Sequence, residues 1–195
     1  MLDTHGRKYV DPLIKGVANI FIRLHFTANT ITKIAFLVGI FSGILAYFEK
    51  EIFAVIVLWI SGLLDAVDGE VARYQKTTTA WGTLMDITFD RIVELSVIIA
   101  LGLRFPDSRM ELLFLSSTII ISMTVFLTVG ALSEKKGMKS FYYQAGVMER
   151  TEGFILFSLM ILFNKYLSII TFIYASLVLF TAFQRLFEAK KLLDK

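Results

Sequence analysis

The chain contains no cysteine, which excludes disulfides and thiolate metal sites outright. Its two histidines, His5 and His25, are too few and too far apart for a zinc motif and read as interfacial side chains. The first thirty residues carry scattered charges and no uninterrupted apolar core, so no secretory signal is expected. No internal repeat is apparent. Charge is also sparse. Charged residues make up 19% of the 195 residues against 56% hydrophobic, more apolar than an ordinary soluble domain. The net charge of +3 is small, and no nucleic-acid partner is expected.

What fills the chain instead is apolar sequence of membrane-spanning length. Six such segments lie near 31–48, 52–73, 80–104, 110–133, 150–166 and 168–188. Ahead of them, residues 5–26 repeat apolar positions (Val10, Leu13, Ile14, Val17, Ile20, Phe21, Leu24) at three- and four-residue intervals among basic residues. That pattern predicts an amphipathic helix lying in the membrane interface. The fold class is therefore an all-α integral membrane protein, with six transmembrane helices behind an N-terminal interfacial helix. One membrane domain spans 1–195: interfacial helix and junction over 1–30, a six-helix bundle over 31–188, and a cytoplasmic tail over 189–195. Thr27–Thr32 reads as a helix cap, and Gly39 and Gly43 as a GxxxG packing face. Residues 74–79 form a polar connection, and 134–150 an inner loop running into an amphipathic helix.

Basic residues orient the chain. With both termini cytoplasmic, only Lys50, Arg104, Arg109 and Lys165 fall outside, and Arg91 lies within a helix. The remaining fifteen of the 20 Lys and Arg face inward, the positive-inside pattern. A cell-membrane location with the functional end facing the cytoplasm is expected.

The most informative stretch is LDAVDGEVARYQKTTTAWGTLMDITFD, residues 64–90. Asp65 and Asp68 are three apart and Asp86 and Asp90 four apart, so each pair shares a helix face. At 1.5 Å per residue, Asp65 lies about 12 Å below Arg73, and Asp86 and Asp90 roughly 9–15 Å beyond residue 80. Antiparallel helices would bring both pairs to one level. An aspartate at a bilayer centre costs about 2.5–3.5 kcal/mol, so an acidic group this dense requires a compensating cation. Mg²⁺ is commonly shared between carboxylates and substrate phosphates. Gly69, Ala72 and Gly82 allow close approach to backbone, and Arg73 offers a charge suited to phosphate. These residues read as a metal–phosphate site sunk into one leaflet.

The spacing D-x2-D-G-x2-A-R-x8-G-x3-D-x3-D is met without departure at Asp65, Asp68, Gly69, Ala72, Arg73, Gly82, Asp86 and Asp90. It resembles the CDP-alcohol phosphatidyltransferase family, in particular its phosphatidylinositol-phosphate synthase-like members. The resemblance implies that Asp65, Asp68, Asp86 and Asp90 hold two divalent cations, Mg²⁺ or Mn²⁺, with Asp90 also the general base. It implies that Asn29, Thr32, Asp65, Gly69, Ala72, Arg73, Thr79 and Gly82 contact the CDP donor. In the family the junction commonly reads T-P-N-x-I-T; here Ala28 replaces the proline. Capping alone also explains Asn29 and Thr32, and helix packing also explains Gly69 and Gly82. Arg91 and Glu94 read equally as support behind the aspartates or as a buried salt bridge.

For the acceptor, Lys135, Lys136, Lys139, Arg150 and Arg185 suit a basic pocket, although positive-inside bias explains lysines equally well. Met148-Glu149-Arg150 resembles a family motif that would continue with another arginine, where this chain has Glu152-Gly153. The resulting expectation is transfer of a phosphatidyl group from CDP-diacylglycerol to a small polar, phosphorylated alcohol, releasing CMP. A homodimer is implied by the resemblance alone. Two alternatives stand beside this: a CDP-linked head-group transferase acting on diacylglycerol, and an ion-coupled transporter using the intramembrane aspartates. The transporter reading needs access from both sides, whereas all four aspartates cluster on one.

Overall fold

A computed structural model describes residues 7–132 and 146–193 of the chain. The described residues are helical nearly throughout and divide into two compact units, residues 7–106 and residues 107–132 with 146–193. The first unit holds α1 (Arg7–Arg23), α2 (Ala28–Tyr47), α3 (Glu51–Gln75) and α4 (Ala80–Arg104).

Within it, α2 is the common strut. It packs along both α3 and α4, which touch each other far less. Small residues make this possible. A Cβ on Gly39 would lie 2.5 Å from Val93 Cγ2 of α4 and 2.7 Å from Ser61 Oγ of α3. One on Gly43 would lie 2.8 Å from the Ser96 backbone. The GxxxG spacing thus marks close helix packing, as its sequence suggests. Two buried hydroxyls stitch α2 to α3: Ser61 Oγ donates to Ala35 O at 2.7 Å and Ser42 Oγ to Ala54 O at 2.8 Å. Without those partners each would be a buried polar group at a cost.

Helix α1 packs on α3 through Ala18, with Ile14, Val17 and Phe21 beside Val67 and Val71. Its Val10, Leu13 and Ile20 are exposed. The inward face of α1 therefore backs the same turns of α3 that carry Asp65 and Asp68. Three successive helices end alike, with a non-glycine residue in the left-handed conformation: His25 (φ 60°), Glu49 (φ 61°) and Lys76 (φ 54°). At each, two backbone N–H groups return to carbonyls of the last turn, as in Thr77 N to Ala72 O at 3.0 Å and Lys76 N to Arg73 O at 3.3 Å. Gln75 Nε2 adds a bond to Phe26 O at 3.2 Å, tying the end of α3 to the junction behind α1.

The second unit holds α5 (Arg109–Leu132), α6 (Arg150–Leu162) and α7 (Leu167–Leu193). Here α5 and α7 pair along their length and α6 packs on α7. The spanning segment expected over 150–166 is a 13-residue helix followed by a 3₁₀ turn at Asn164–Tyr166. Phe163, in a non-helical conformation, separates them.

Four helical stretches are long and apolar enough to cross a membrane: Ala28–Tyr47, Glu51–Gln75, Pro106–Leu132 and Asn164–Lys191. Helix α4 has the length, at 25 residues, but carries Asp86, Asp90, Arg91, Glu94 and Arg104. Helix α6 spans about 20 Å, short of a hydrocarbon core of about 30 Å.

Candidate metal centre

Asp65 and Asp68 lie on α3 and Asp86 and Asp90 on α4. The depth expected from helix geometry holds for three of the four aspartates. One carboxylate oxygen from each of Asp65, Asp68 and Asp86 falls within 4.8 Å of the others. Asp68 is buried at 6% exposure, while Asp65, Asp86 and Asp90 are half-buried. Asp90, one turn further along α4, stands next to this trio rather than in it. The register that lets the trio meet is set by α2. Ser61, one turn before Asp65, is bonded to Ala35, and Phe89, beside Asp90, stacks on Phe36 with centroids 4.1 Å apart.

Two unit charges separated by 4.8 Å repel by roughly 3.5 kcal/mol at an effective dielectric of about 20. Three carboxylates therefore need a counter-charge. No hydrogen-bond donor among the described residues reaches the buried Asp86 Oδ1. The donor set is oxygen only, which suits hard divalent cations such as Mg²⁺ and Mn²⁺. The carboxylate trio fits a divalent-metal cofactor.

The expected donor-contact residues gather around the same ends of α2, α3 and α4. Thr27 caps α2, its side chain accepting from Thr30 N at 3.3 Å. Thr32 Oγ1 donates to Ala28 O at 3.0 Å and is buried. Asn29 is exposed, and its Oδ1 would lie 3.3 Å from a Cβ on Gly82. That contact brings the starts of α2 and α4 together. Thr79 caps α4, its Oγ1 accepting from Gly82 N at 3.0 Å. Arg73 folds back over Gly69, its Nη1 3.4 Å from where a Cβ would sit. Ala72 is half-buried against the α1–α3 core.

Sequence reading missed Glu70, whose Oε2 accepts from Arg73 Nη2 at 2.7 Å and Nε at 3.2 Å. Its i,i+3 spacing to Arg73 was the available signal. Arg91 Nη1 and Glu94 Oε2 form an ion pair at 2.6 Å, with side chains 32% and 15% exposed.

Of the expected acceptor residues, Lys135, Lys136 and Lys139 lie outside the described residues. Arg150 opens α6, its Cζ 5.7 Å from the Phe154 ring centroid. Arg185 is buried in α7, its Cζ 5.1 Å from the Phe126 centroid on α5. Residues 146–149 lie against the same turn of α7. Met148 N donates to Thr181 Oγ1 at 2.9 Å, and a Cβ on Gly146 would sit 3.3 Å from Arg185 Nη2.

A membrane-helical protein that gathers three carboxylate oxygens from two helices has the donor set of a divalent-metal site. Comparison with known proteins narrows this. The family model of CDP-alcohol phosphatidyltransferase matches residues 25–183, and the chain belongs to that family. It is accordingly a phosphotransferase, and the family leaves the transporter alternative without support. The archaetidylinositol phosphate synthase of Pyrococcus horikoshii is 31% identical, over 100% of this chain and 99% of its own length. The phosphatidylinositol phosphate synthase of Mycobacterium tuberculosis, solved with CDP-DAG bound, superposes with a TM-score of 0.76. That likeness covers 92% of this chain and 94% of that one at 20% identity, and so speaks to the fold. The same enzyme in complex with manganese and citrate gives a TM-score of 0.73 at 21% identity, over 90% of this chain and 88% of that one.

Proposed function

We propose that this chain transfers a phosphatidyl group from CDP-diacylglycerol to the hydroxyl of a small phosphorylated alcohol, such as inositol phosphate or glycerol phosphate. The observation that carries the reading is the trio of Asp65, Asp68 and Asp86 oxygens within 4.8 Å, inside the residues that the family model matches. In this reading Asp65, Asp68, Asp86 and Asp90 hold two divalent ions. Ions held there would neutralise the carboxylates and supply the positive charge that polarises a diphosphate and stabilises CMP as leaving group.

The chain's own residues do the rest. Asn29, Thr32, Gly69, Ala72, Arg73, Thr79 and Gly82 hold the cytidine diphosphate, with Gly69 and Gly82 leaving backbone accessible and Arg73 countering charge. For Arg73 this means turning from Glu70, an exposed pair that costs little to open. Asp90 takes the acceptor's hydroxyl proton. The acceptor oxygen bonds to the phosphatidyl phosphorus as the bond to the CMP oxygen breaks. Lys135, Arg150 and Arg185 recognise the acceptor's phosphate.

The full architecture we propose is one domain with six spans, α4 and α6 included, and α1 in the interface with Val10, Leu13 and Ile20 toward lipid. It sits in the cell membrane as a homodimer, with the aspartates at the cytoplasmic side.

The test is CMP release by purified protein in detergent, with CDP-diacylglycerol, Mn²⁺ and a panel of polar alcohols and their phosphates. Release that depends on a phosphorylated alcohol supports the assignment. Release only with CDP-choline or CDP-ethanolamine plus diacylglycerol replaces it by the head-group transferase reading.

A further inference from the structure

Thr181 takes no part in the chemistry described above, yet it occupies the junction between the two arginines assigned to the acceptor. On α7 it lies one turn before Arg185, and the two share a face. Its hydroxyl makes two bonds. Oγ1 donates to Leu177 O at 2.9 Å, which leaves its lone pairs directed away from the helix, and accepts from Met148 N at 2.9 Å. The segment so held is in close contact. A Cβ added to Gly146 would run into Thr181 Cγ2 and would lie 3.3 Å and 3.4 Å from Arg185 Nη2 and Nε. Glu149, buried at 7% exposure, accepts from Gly146 N at 3.4 Å and closes the turn one residue before Arg150.

We infer that Thr181 is a positioning residue for acceptor recognition: by tying residues 146–148 to α7 it fixes where Arg150 stands relative to Arg185. The physical reason is that an arginine reaches its ligand on a long side chain, so a phosphate is gripped by two of them only if their backbones keep one separation. Arg185 is fixed by burial and by Phe126. Arg150, at the first position of α6, follows directly on the segment that Thr181 holds, and the side chain of Glu149 bonds back to Gly146 rather than capping α6. The inference rests on the acceptor reading proposed above.

Its test uses the full chain and titrates inositol phosphate and glycerol phosphate separately, with CDP-diacylglycerol saturating, against wild type, Thr181→Val, Thr181→Ser and Arg150→Ala. Thr181→Val keeps the shape and removes the acceptor oxygen. It should raise the acceptor KM by about tenfold, the scale of one hydrogen bond whose partly buried donor is left unmade. kcat and donor KM should stay within about twofold of wild type, and Thr181→Ser should restore the acceptor KM. Hydrogen exchange at the Met148 amide should quicken in Thr181→Val and return in Thr181→Ser, which reads the bond without turnover. If Arg150→Ala raises the acceptor KM while Thr181→Val does not, Thr181 has no positioning role and the acceptor reading stands. If Thr181→Val lowers kcat and weakens donor and acceptor alike, its role is general stability and the inference is wrong. If Arg150→Ala leaves the acceptor KM unchanged, or neither phosphate is a substrate, the acceptor reading fails and takes this inference with it.

Discussion

Arg104 Nη2 stands 2.6 Å from Glu51 Oε1, joining the last residue of α4 to the first of α3. The same guanidinium donates from Nη1 to Ala46 O at 3.1 Å, near the end of α2, and is 14% exposed. One side chain thus binds three helix ends, at the opposite end of α3 and α4 from the aspartates. Arg104→Ala should lower stability by about 2–3 kcal/mol, because Glu51 and a helix-terminal carbonyl both lose a charged donor. Arg104→Lys should recover only part of this, since an ammonium lacks the planar fork that serves two acceptors. Chemical denaturation of the detergent-solubilised protein measures both. Equal stability of wild type and Arg104→Ala would show that the three-way junction contributes nothing.

The two glycines of α2 should differ in tolerance. A Cβ on Gly39 meets the side chains of Val93 and Ser61, which have some freedom to move. On Gly43 it meets the backbone of Ser96, which has none without shifting α4. Gly39→Ala is expected to cost about 1–2 kcal/mol and Gly43→Ala about 3 kcal/mol or more. Because a shift of α4 moves Asp86 relative to Asp65, Gly43→Ala should also weaken Mn²⁺ binding. Thermal melts with and without Mn²⁺ separate the two effects, and a Gly43→Ala protein as stable as wild type would contradict the packing described here.

The three left-handed helix ends offer a gain rather than a loss. His25 adopts φ 60° on the surface. A left-handed residue with a Cβ costs about 1–2 kcal/mol, of which glycine returns part after its own entropic cost. His25→Gly should therefore stabilise the protein by about 0.5–1 kcal/mol, read as a rise in Tm. A fall would mean that the imidazole makes a contact more important than the backbone strain.

Those same ends show where the sequence was hard to read. Helix termination is usually signalled by glycine, and His25, Glu49 and Lys76 supply none, so only charge and hydropathy mark the stops in the sequence. The start of α2 was legible because Thr27 is a cap residue, whereas the cap that Thr79 gives α4 lay within what reads as a polar connection. The meeting of Asp65, Asp68 and Asp86 was legible because it depends only on helical rise and an antiparallel pair. That α2, rather than direct contact between α3 and α4, sets their spacing was not, because GxxxG shows that a partner comes close without saying which. The role of Thr181 was invisible for a different reason: its bond to Met148 spans 33 residues and no local pattern encodes it.

Thr79 separates a structural duty from a binding one. Its Oγ1 caps α4 at Gly82 N, so Thr79→Val should cost about 1 kcal/mol of stability and Thr79→Ser almost nothing. If the hydroxyl also contacts the CDP donor, Thr79→Val raises the donor KM beyond what the stability loss explains, and Thr79→Ser restores it. Donor KM values that are unchanged in Thr79→Val leave this residue a cap and nothing more.

The most direct test of the metal-dependent chemistry is the Mn²⁺ dependence of CMP release, comparing wild type with Asp68→Asn and Asp86→Asn. Each substitution keeps shape and removes one anionic ligand from the trio within 4.8 Å. Saturable activation by Mn²⁺ in wild type, with activity in both variants down by about a thousandfold or more, is the expected result, since metal-ion stabilisation is worth several kcal/mol of barrier. Wild-type CMP release that persists undiminished after exhaustive chelation, or variants that turn over normally, would contradict it.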